Sequence, residues 1–111
     1  MKIGEYDFHF IYTVGAFCDI ADLHLMPPKT VSEQCKTVIQ MAVIMSKAYE
    51  DKQKLNDPDY EPHYLTMAMA RALSVKEVIE ELTPEVDGAV KEGSYRTVEA
   101  QASKKKTGAV Q

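Results

Sequence analysis

The chain has 111 residues, a formal net charge of −4 and two cysteines. This length fits a single domain with one modest core, and the acidic balance disfavours a general nucleic-acid binder, which needs a basic surface. No stretch approaches the roughly 18 apolar residues of a membrane span, and the first ten residues lack the apolar run of a signal peptide. We therefore expect a soluble, intracellular protein.

The N-terminal 12 residues carry the pattern of a β-hairpin. Gly4-Glu5 suits a turn, and aromatic residues recur at every second position from Tyr6 to Tyr12. A period of two with aromatic side chains is typical of a strand that is buried on one face. Because an isolated two-stranded ribbon is only marginally stable, we expect the aromatic face to pack on helices.

The spacing becomes helical over residues 13–25. Thr13 is predicted to cap this helix, and Gly15 in the first turn indicates close packing at that point. The apolar side chains on the predicted packing face are Val14, Phe17, Ala21 and Leu25, with Ile20 close by.

A long central helix is predicted over residues 30–55, the longest stretch without proline or glycine. Thr30 and Glu33 form a helix-start signature, in which the hydroxyl and the carboxylate each accept from a backbone N–H. Between Val38 and Met45 the only polar residue is Gln40, so the middle should be apolar most of the way round. We expect one face to form the core and part of another to contact a neighbouring copy or a client helix.

Three shorter helices are predicted after an acidic loop at residues 56–61. They cover residues 63–73, residues 75–82 behind the Ser74–Glu77 capping box, and a last stretch in which Thr83 is the cap and Gly93 the end. Residues 1–98 are assigned to one domain and residues 99–111 to a flexible C-terminal tail. The predicted fold is mainly α: a small helical bundle with a short N-terminal β-hairpin.

No residues show catalytic or metal-ligand spacing. His9, His24 and His63 are widely separated, and neither HExxH nor CxxC occurs. Cys18 and Cys35 are interpreted as buried, reduced thiols, although a disulfide stays open if the helices bring them together. We therefore predict no enzyme activity, no metal and no cofactor.

Protein–protein contact is the remaining source of function. The carboxylates of residues 57–61 and 77–92 are interpreted as a solvated helix face. The alternatives are acid–base chemistry by paired carboxylates and an acidic docking surface for a basic partner. Methionine-rich surfaces suit varied partners. The candidate partner-binding or oligomer contacts are Met41, Ile44, Met45, Tyr49, Met67 and Met69.

Three segments resemble a known family. They are Lys2-Ile3-Gly4-Glu5-Tyr6 with Phe8 and Phe10, Thr13-Val14-Gly15-Ala16-Phe17 with Asp19-Ile20, and the acidic ending from Glu85 to Gly93. With a long helix between them, they resemble the tail assembly chaperones of long-tailed (siphovirus-type) bacteriophages and prophages, especially those of Gram-positive hosts. The resemblance covers about residues 1–95 as a pattern.

The resemblance implies a protein that acts in the host bacterial cytoplasm and is absent from the mature virion. Such a chaperone binds the tape measure protein, keeps it soluble, helps recruit the tail tube protein and forms a homo-oligomeric ring or spiral. It contacts neither nucleic acid nor membrane. Ribosomal frameshifting near the end of the gene is also implied, and Lys104, Lys105 and Lys106 mark the region where it would occur.

A second interpretation is compatible with the same residues. A small intracellular adaptor or regulatory protein would act through helix-mediated protein–protein contacts. It would form a discrete monomer or dimer, whereas the chaperone would form an extended assembly.

Overall fold

The protein is mainly helical with an N-terminal antiparallel hairpin, as the sequence predicts. A computed structural model describes residues 1–94. The elements are β1 (Lys2–Ile3), β2 (Tyr6–Asp7), α1 (Val14–Ala21), α2 (Val31–Asn56), α3 (Met67–Arg71), α4 (Val75–Glu77), a π-helical turn (Val78–Leu82) and α5 (Thr83–Gly93). The predicted domain boundary at residue 98 and the predicted tail at 99–111 lie outside the described residues.

The hairpin pairs Lys2 with Asp7 and Ile3 with Tyr6 around the predicted turn. Gly4 has a φ of 65°, a left-handed conformation that glycine adopts without the steric penalty of a Cβ atom. This turn residue therefore sets the register of the short ribbon.

The extended segment after the hairpin packs on α2 and does not continue β2. Phe8 and Phe10 are buried, and the Ile11 N–H donates to the Met45 carbonyl at 3.3 Å. A strand needs a partner ladder along its length, and residues 1–94 contain no third strand. The strand predicted through Tyr12 is therefore wrong beyond Asp7, whereas the predicted burial of the two phenylalanines is confirmed.

The ammonium group of Met1 joins the hairpin to α5. It donates to the Phe8 carbonyl at 2.8 Å and lies 3.1 Å from Asp7 Oδ1 and 3.3 Å from Glu85 Oε1. Its hydrogen bond and charge hold the pKa of the Asp7 carboxyl below the usual value.

Helix α2 lies at the centre of the fold, as predicted. Thr30 accepts from the Glu33 N–H at 3.1 Å, while the Glu33 carboxylate accepts from the Lys29 N–H at 2.9 Å, one residue earlier than in a standard capping box. The helix contacts α1, α3, the π-turn and α5. No helix within residues 1–94 is long and apolar enough to cross a membrane.

One hydrophobic core surrounds α2. Its buried apolar side chains are Ile3, Phe8, Phe10, Ala16, Val38, Ile39, Ala42, Met45, Leu65, Ala70, Val78, Leu82 and Val86. Within residues 38–45, Gln40, Met41, Val43 and Ile44 remain half-buried. The middle of α2 is therefore enclosed on most of its circumference but not on all of it.

Helix α1 packs through a different face from the one predicted. Ala16 is buried and Ile20 half-buried, whereas Val14 and Phe17 are 80% and 56% exposed. Because the face that carries Ala16 is the buried one, the larger Val14 and Phe17 side chains lie on the outer side of this two-turn helix. The prediction of close packing at Gly15 is also wrong, because a Cβ atom there would meet only Thr13 Oγ1 at 3.8 Å, an ordinary van der Waals contact.

The two cysteines are free thiols, as predicted, but neither is fully buried. Cys18 is exposed and Cys35 half-buried. The predicted burial of Cys18 is wrong: it rested on the usual burial of free cysteines in apolar helical segments, whereas this side chain lies on the exposed side of α1.

Helix α3 begins four residues later than predicted, at Met67, with Thr66 as its N-cap. The preceding segment is held by the buried carboxylate of Glu50, whose Oε1 accepts from Tyr60 Oη at 2.7 Å and from the His63 N–H at 2.8 Å. The hydrogen bond to Glu50 raises the pKa of Tyr60 to about 12. These tertiary hydrogen bonds keep residues 62–66 out of the helix.

The last two predicted helices form one rod with a π-turn between them. The Ser74–Glu77 capping box is present at the start, and the rod ends at Gly93 as predicted. Thr83 is not a cap: its N–H and its hydroxyl both donate to the Val78 carbonyl. Pro84 lacks an N–H and would clash with the carbonyl of an ideal preceding turn, and a π-bulge accommodates both defects.

Candidate interaction surface

Two large apolar side chains of α1 project into solvent beside an apolar cavity. Val14, Phe17, Tyr12 and Val90 line this cavity, whose volume is about 600 Å³, and we refer to the four residues as the α1 surface. The Phe17 ring meets the Tyr12 ring edge-on, with centroids 6.0 Å apart and an interplanar angle of 90°. An exposed apolar cluster of this kind is typical of a contact site.

Two backbone features position the α1 surface. The Thr13 hydroxyl accepts from the Ala16 N–H at 3.1 Å and starts the helix. At the other side of the cavity, α5 reaches the Tyr12 backbone so closely that a Cβ on Gly93 would lie 2.6 Å from the Tyr12 carbonyl oxygen. Only glycine permits this approach, which closes one wall of the cavity.

The chemistry of the cavity suits an apolar group. Besides the α1 surface, its lining within residues 1–94 consists of Thr13, Lys52, Gly93 and Ser94, and among these described residues Lys52 alone is charged. The cavity can therefore hold an apolar side chain of a partner.

A second groove separates α1 from α2 and contains one of the predicted contact residues. Ile44 lines it together with Ala48 and Leu55, in a volume of about 420 Å³. On its rim, Lys47 Nζ lies 2.6 Å from Asp51 Oδ2. This hydrogen bond lowers the pKa of Asp51 and raises that of Lys47.

The predicted contact residues are divided between α2 and α3. Met45 is 0% exposed and belongs to the core, whereas Met67 is 39% exposed. Met41, Ile44, Tyr49 and Met69 are half-buried, and the Tyr49 ring lies 4.8 Å from the His9 ring. Sequence reasoning missed Val14 and Phe17 as surface residues, although Ala16 and Ile20, one turn apart, were the signal of an alternative packing face.

The histidines lie apart on the surface. His63 stacks on Tyr6 with ring centroids 4.2 Å apart, and His9 Nε2 lies 3.8 Å from Asp7 Oδ2. His24 is exposed, with a φ of 51°. Within residues 1–94, no three histidine, cysteine, aspartate or glutamate side chains are grouped so that they could hold a metal ion.

The functional interpretation depends on these surfaces. The chain matches no protein-family model, no curated protein and no solved structure.

Proposed function

We propose that this protein is a tail assembly chaperone of a long-tailed bacteriophage or prophage. It binds the tape measure protein in the host cytoplasm, keeps it soluble, helps recruit tail tube subunits and is absent from the mature virion. The observation that supports this proposal is the α1 surface, an outward-facing apolar cluster beside an apolar cavity.

The physical link is the match between this surface and an apolar helical client. A long apolar helix aggregates unless its exposed side chains are covered, and a groove that receives apolar side chains at helical spacing covers them. Met41, Ile44, Tyr49, Met67 and Met69 are the further candidates for client or subunit contacts, because each retains some exposure. Copies bound side by side would cover a long client.

Co-expression with the tape measure protein encoded nearby tests the function. We expect the tape measure protein in the soluble fraction, in a complex with this chain. A Val14→Ser, Phe17→Ser double variant should lose the complex, because it removes the apolar side chains from the α1 surface. Met26→Ser is the matched control, since Met26 is 78% exposed and lies outside the cavity lining.

The outcomes separate the function from the site. An insoluble tape measure protein and no complex with the wild-type chain would contradict the chaperone function. A soluble complex with both variants would contradict only the assignment of the α1 surface. Circular dichroism of each variant establishes that it is folded.

Two further observations discriminate the chaperone from the adaptor alternative. Light scattering should show a ring or a longer assembly for the chaperone, whereas an adaptor would remain a monomer or dimer. Lys104, Lys105 and Lys106 lie outside the described residues. A heptameric slippery string in their codons would support a frameshifted longer product.

A further inference from the structure

Another groove, distinct from the one between α1 and α2, lies between the first half of α2 and the α3–α4 segment. Its floor contains the buried side chains of Ile39, Ala70 and Val78. Val31 and Val75 flank it and are 58% and 61% exposed. Its volume is about 380 Å³, and we refer to it as the α2–α3 groove.

Within the described part of the chain, the charged residues that line the α2–α3 groove are both cations. Lys36 stands on the α2 wall and Arg71 on the α3 wall, and no carboxylate is among these lining residues. Within residues 1–94, no ion pair and no hydrogen bond engages either side chain. The whole chain has 17 acidic and 13 basic residues, so a groove with cations alone departs from the overall charge.

We propose that the α2–α3 groove binds an acidic amphipathic helix of a partner protein. Apolar side chains of that helix, spaced by three or four residues, would lie on the floor and against the exposed valines. Carboxylates that flank its apolar stripe would pair with Lys36 and Arg71 on the two walls. Opposite charges at the rim of an apolar contact favour the correct partner and speed association.

A second copy of this chain is a poorer occupant. The longest acidic helical stretch of the described chain is the rod that contains the π-turn and α5. Its apolar residues Val78, Leu82 and Val86 are already buried in the core, so the rod of a second copy cannot present them to the groove. We therefore assign the partner helix to another protein, whether or not that protein is the tape measure protein.

Two synthetic peptides test the proposal with the full chain. Both are Ala-rich helices of about 18 residues, long enough to hold helical structure, with the same leucine stripe. One carries glutamates beside the stripe and the other carries lysines. Fluorescence anisotropy should show about tenfold tighter binding of the glutamate peptide, from two rim ion pairs and the absence of like-charge repulsion.

Charge reversal provides the decisive variant. In a Lys36→Glu, Arg71→Glu double variant, the preference should invert so that the lysine peptide binds more tightly, again by about tenfold. The control is a Lys2→Glu, Lys54→Glu double variant, which changes the net charge equally at positions outside the linings of the α2–α3 groove and of the α1 cavity. The control should retain the preference for the glutamate peptide.

The two thiols locate the bound peptide. Cys35 lines the α2–α3 groove, whereas Cys18 is exposed on α1. The glutamate peptide should slow alkylation of Cys35 and leave the rate at Cys18 unchanged.

Three results would overturn the proposal. The first is equal affinity for the two peptides, and the second is an unchanged preference in the Lys36→Glu, Arg71→Glu variant. The third is alkylation of Cys35 that slows with protein concentration in the absence of peptide, since a second copy would then occupy the groove. The proposed chaperone function is judged separately, because no phage sequence is present in these peptides.

Discussion

Two glycines of α5 should respond in opposite directions to the same substitution. Gly88 lies in the middle of the helix, and a Cβ there would meet no atom within 4 Å. Gly88→Ala should therefore stabilise the protein by about 1 kcal/mol, the difference in helix propensity between the two residues. This variant is the reference for the second substitution.

Gly93 is the last residue of α5, and its surroundings leave no room for a methyl group. A Cβ there would lie 2.6 Å from the Tyr12 carbonyl oxygen and 2.8 Å from Tyr12 Cβ. Both contacts involve groups that are fixed to the backbone, so α5 or the Tyr12 segment must move. Gly93→Ala should therefore destabilise the protein by about 1–3 kcal/mol, as overpacking typically does.

Urea denaturation followed by circular dichroism measures both changes, with equal m-values required for the comparison. The melting temperature should rise for Gly88→Ala and fall for Gly93→Ala, by about 4–8 °C per kcal/mol for a domain of this size. If Gly93→Ala stabilised the protein as much as Gly88→Ala, α5 would not approach Tyr12 this closely. The wall that it forms beside the α1 surface would then be misplaced.

Three further predictions concern the core, pH and capping. Ser46 is fully buried and its hydroxyl has no hydrogen-bond partner within residues 1–94. Ser46→Ala should therefore raise the free energy of unfolding by about 1 kcal/mol, measured by urea titration. A lower free energy of unfolding in the variant would mean that the hydroxyl has a hydrogen-bond partner. The hydrogen bond to Glu50 raises the pKa of Tyr60 from 10.0 to about 12. The stability that this bond contributes is present below pH 10 and is lost as the pH rises towards 12. Between these pH values the melting temperature of the wild type should therefore fall by more than that of Tyr60→Phe. An equal fall in the two proteins would contradict the assignment. Ser74→Ala removes one half of the capping box that Ser74 forms with Glu77. It should lower the free energy of unfolding by about 1 kcal/mol in the same urea titration. An unchanged free energy of unfolding would mean that water replaces the hydrogen bond of the cap.

Some contacts of the candidate surfaces were predictable from sequence and others were not. The partial exposure of Met67 agrees with its selection as a contact residue, because a methionine in a short, alanine-rich segment has few neighbours to cover it. The sequence did not show that Met45 is buried and Met41 partly exposed. Both lie in a continuous apolar run, in which the spacing of apolar residues does not indicate which face is buried. The cations of the α2–α3 groove escaped prediction because Lys36 and Arg71 lie 35 positions apart in the chain, and only packing of α3 on α2 places them at the same groove.

The sequence by itself determined where α1, α2 and α4 begin. Thr13, Thr30 and Ser74 each accept from a backbone N–H three residues further on. Such a hydrogen bond spans one turn and requires nothing from the rest of the molecule. The hairpin turn at Gly4 is local in the same sense.

The tertiary structure decided which faces are covered and where regular structure stops. Val14 and Phe17 point outward because α1 buries the face that carries Ala16, and α3 starts late because Glu50 holds the backbone of His63. The strand ends at Asp7 because the next residues find a helix beside them instead of a strand. Each of these outcomes depends on residues distant in the chain, whose contacts outweigh local preferences of a few tenths of a kcal/mol to about 1 kcal/mol per residue.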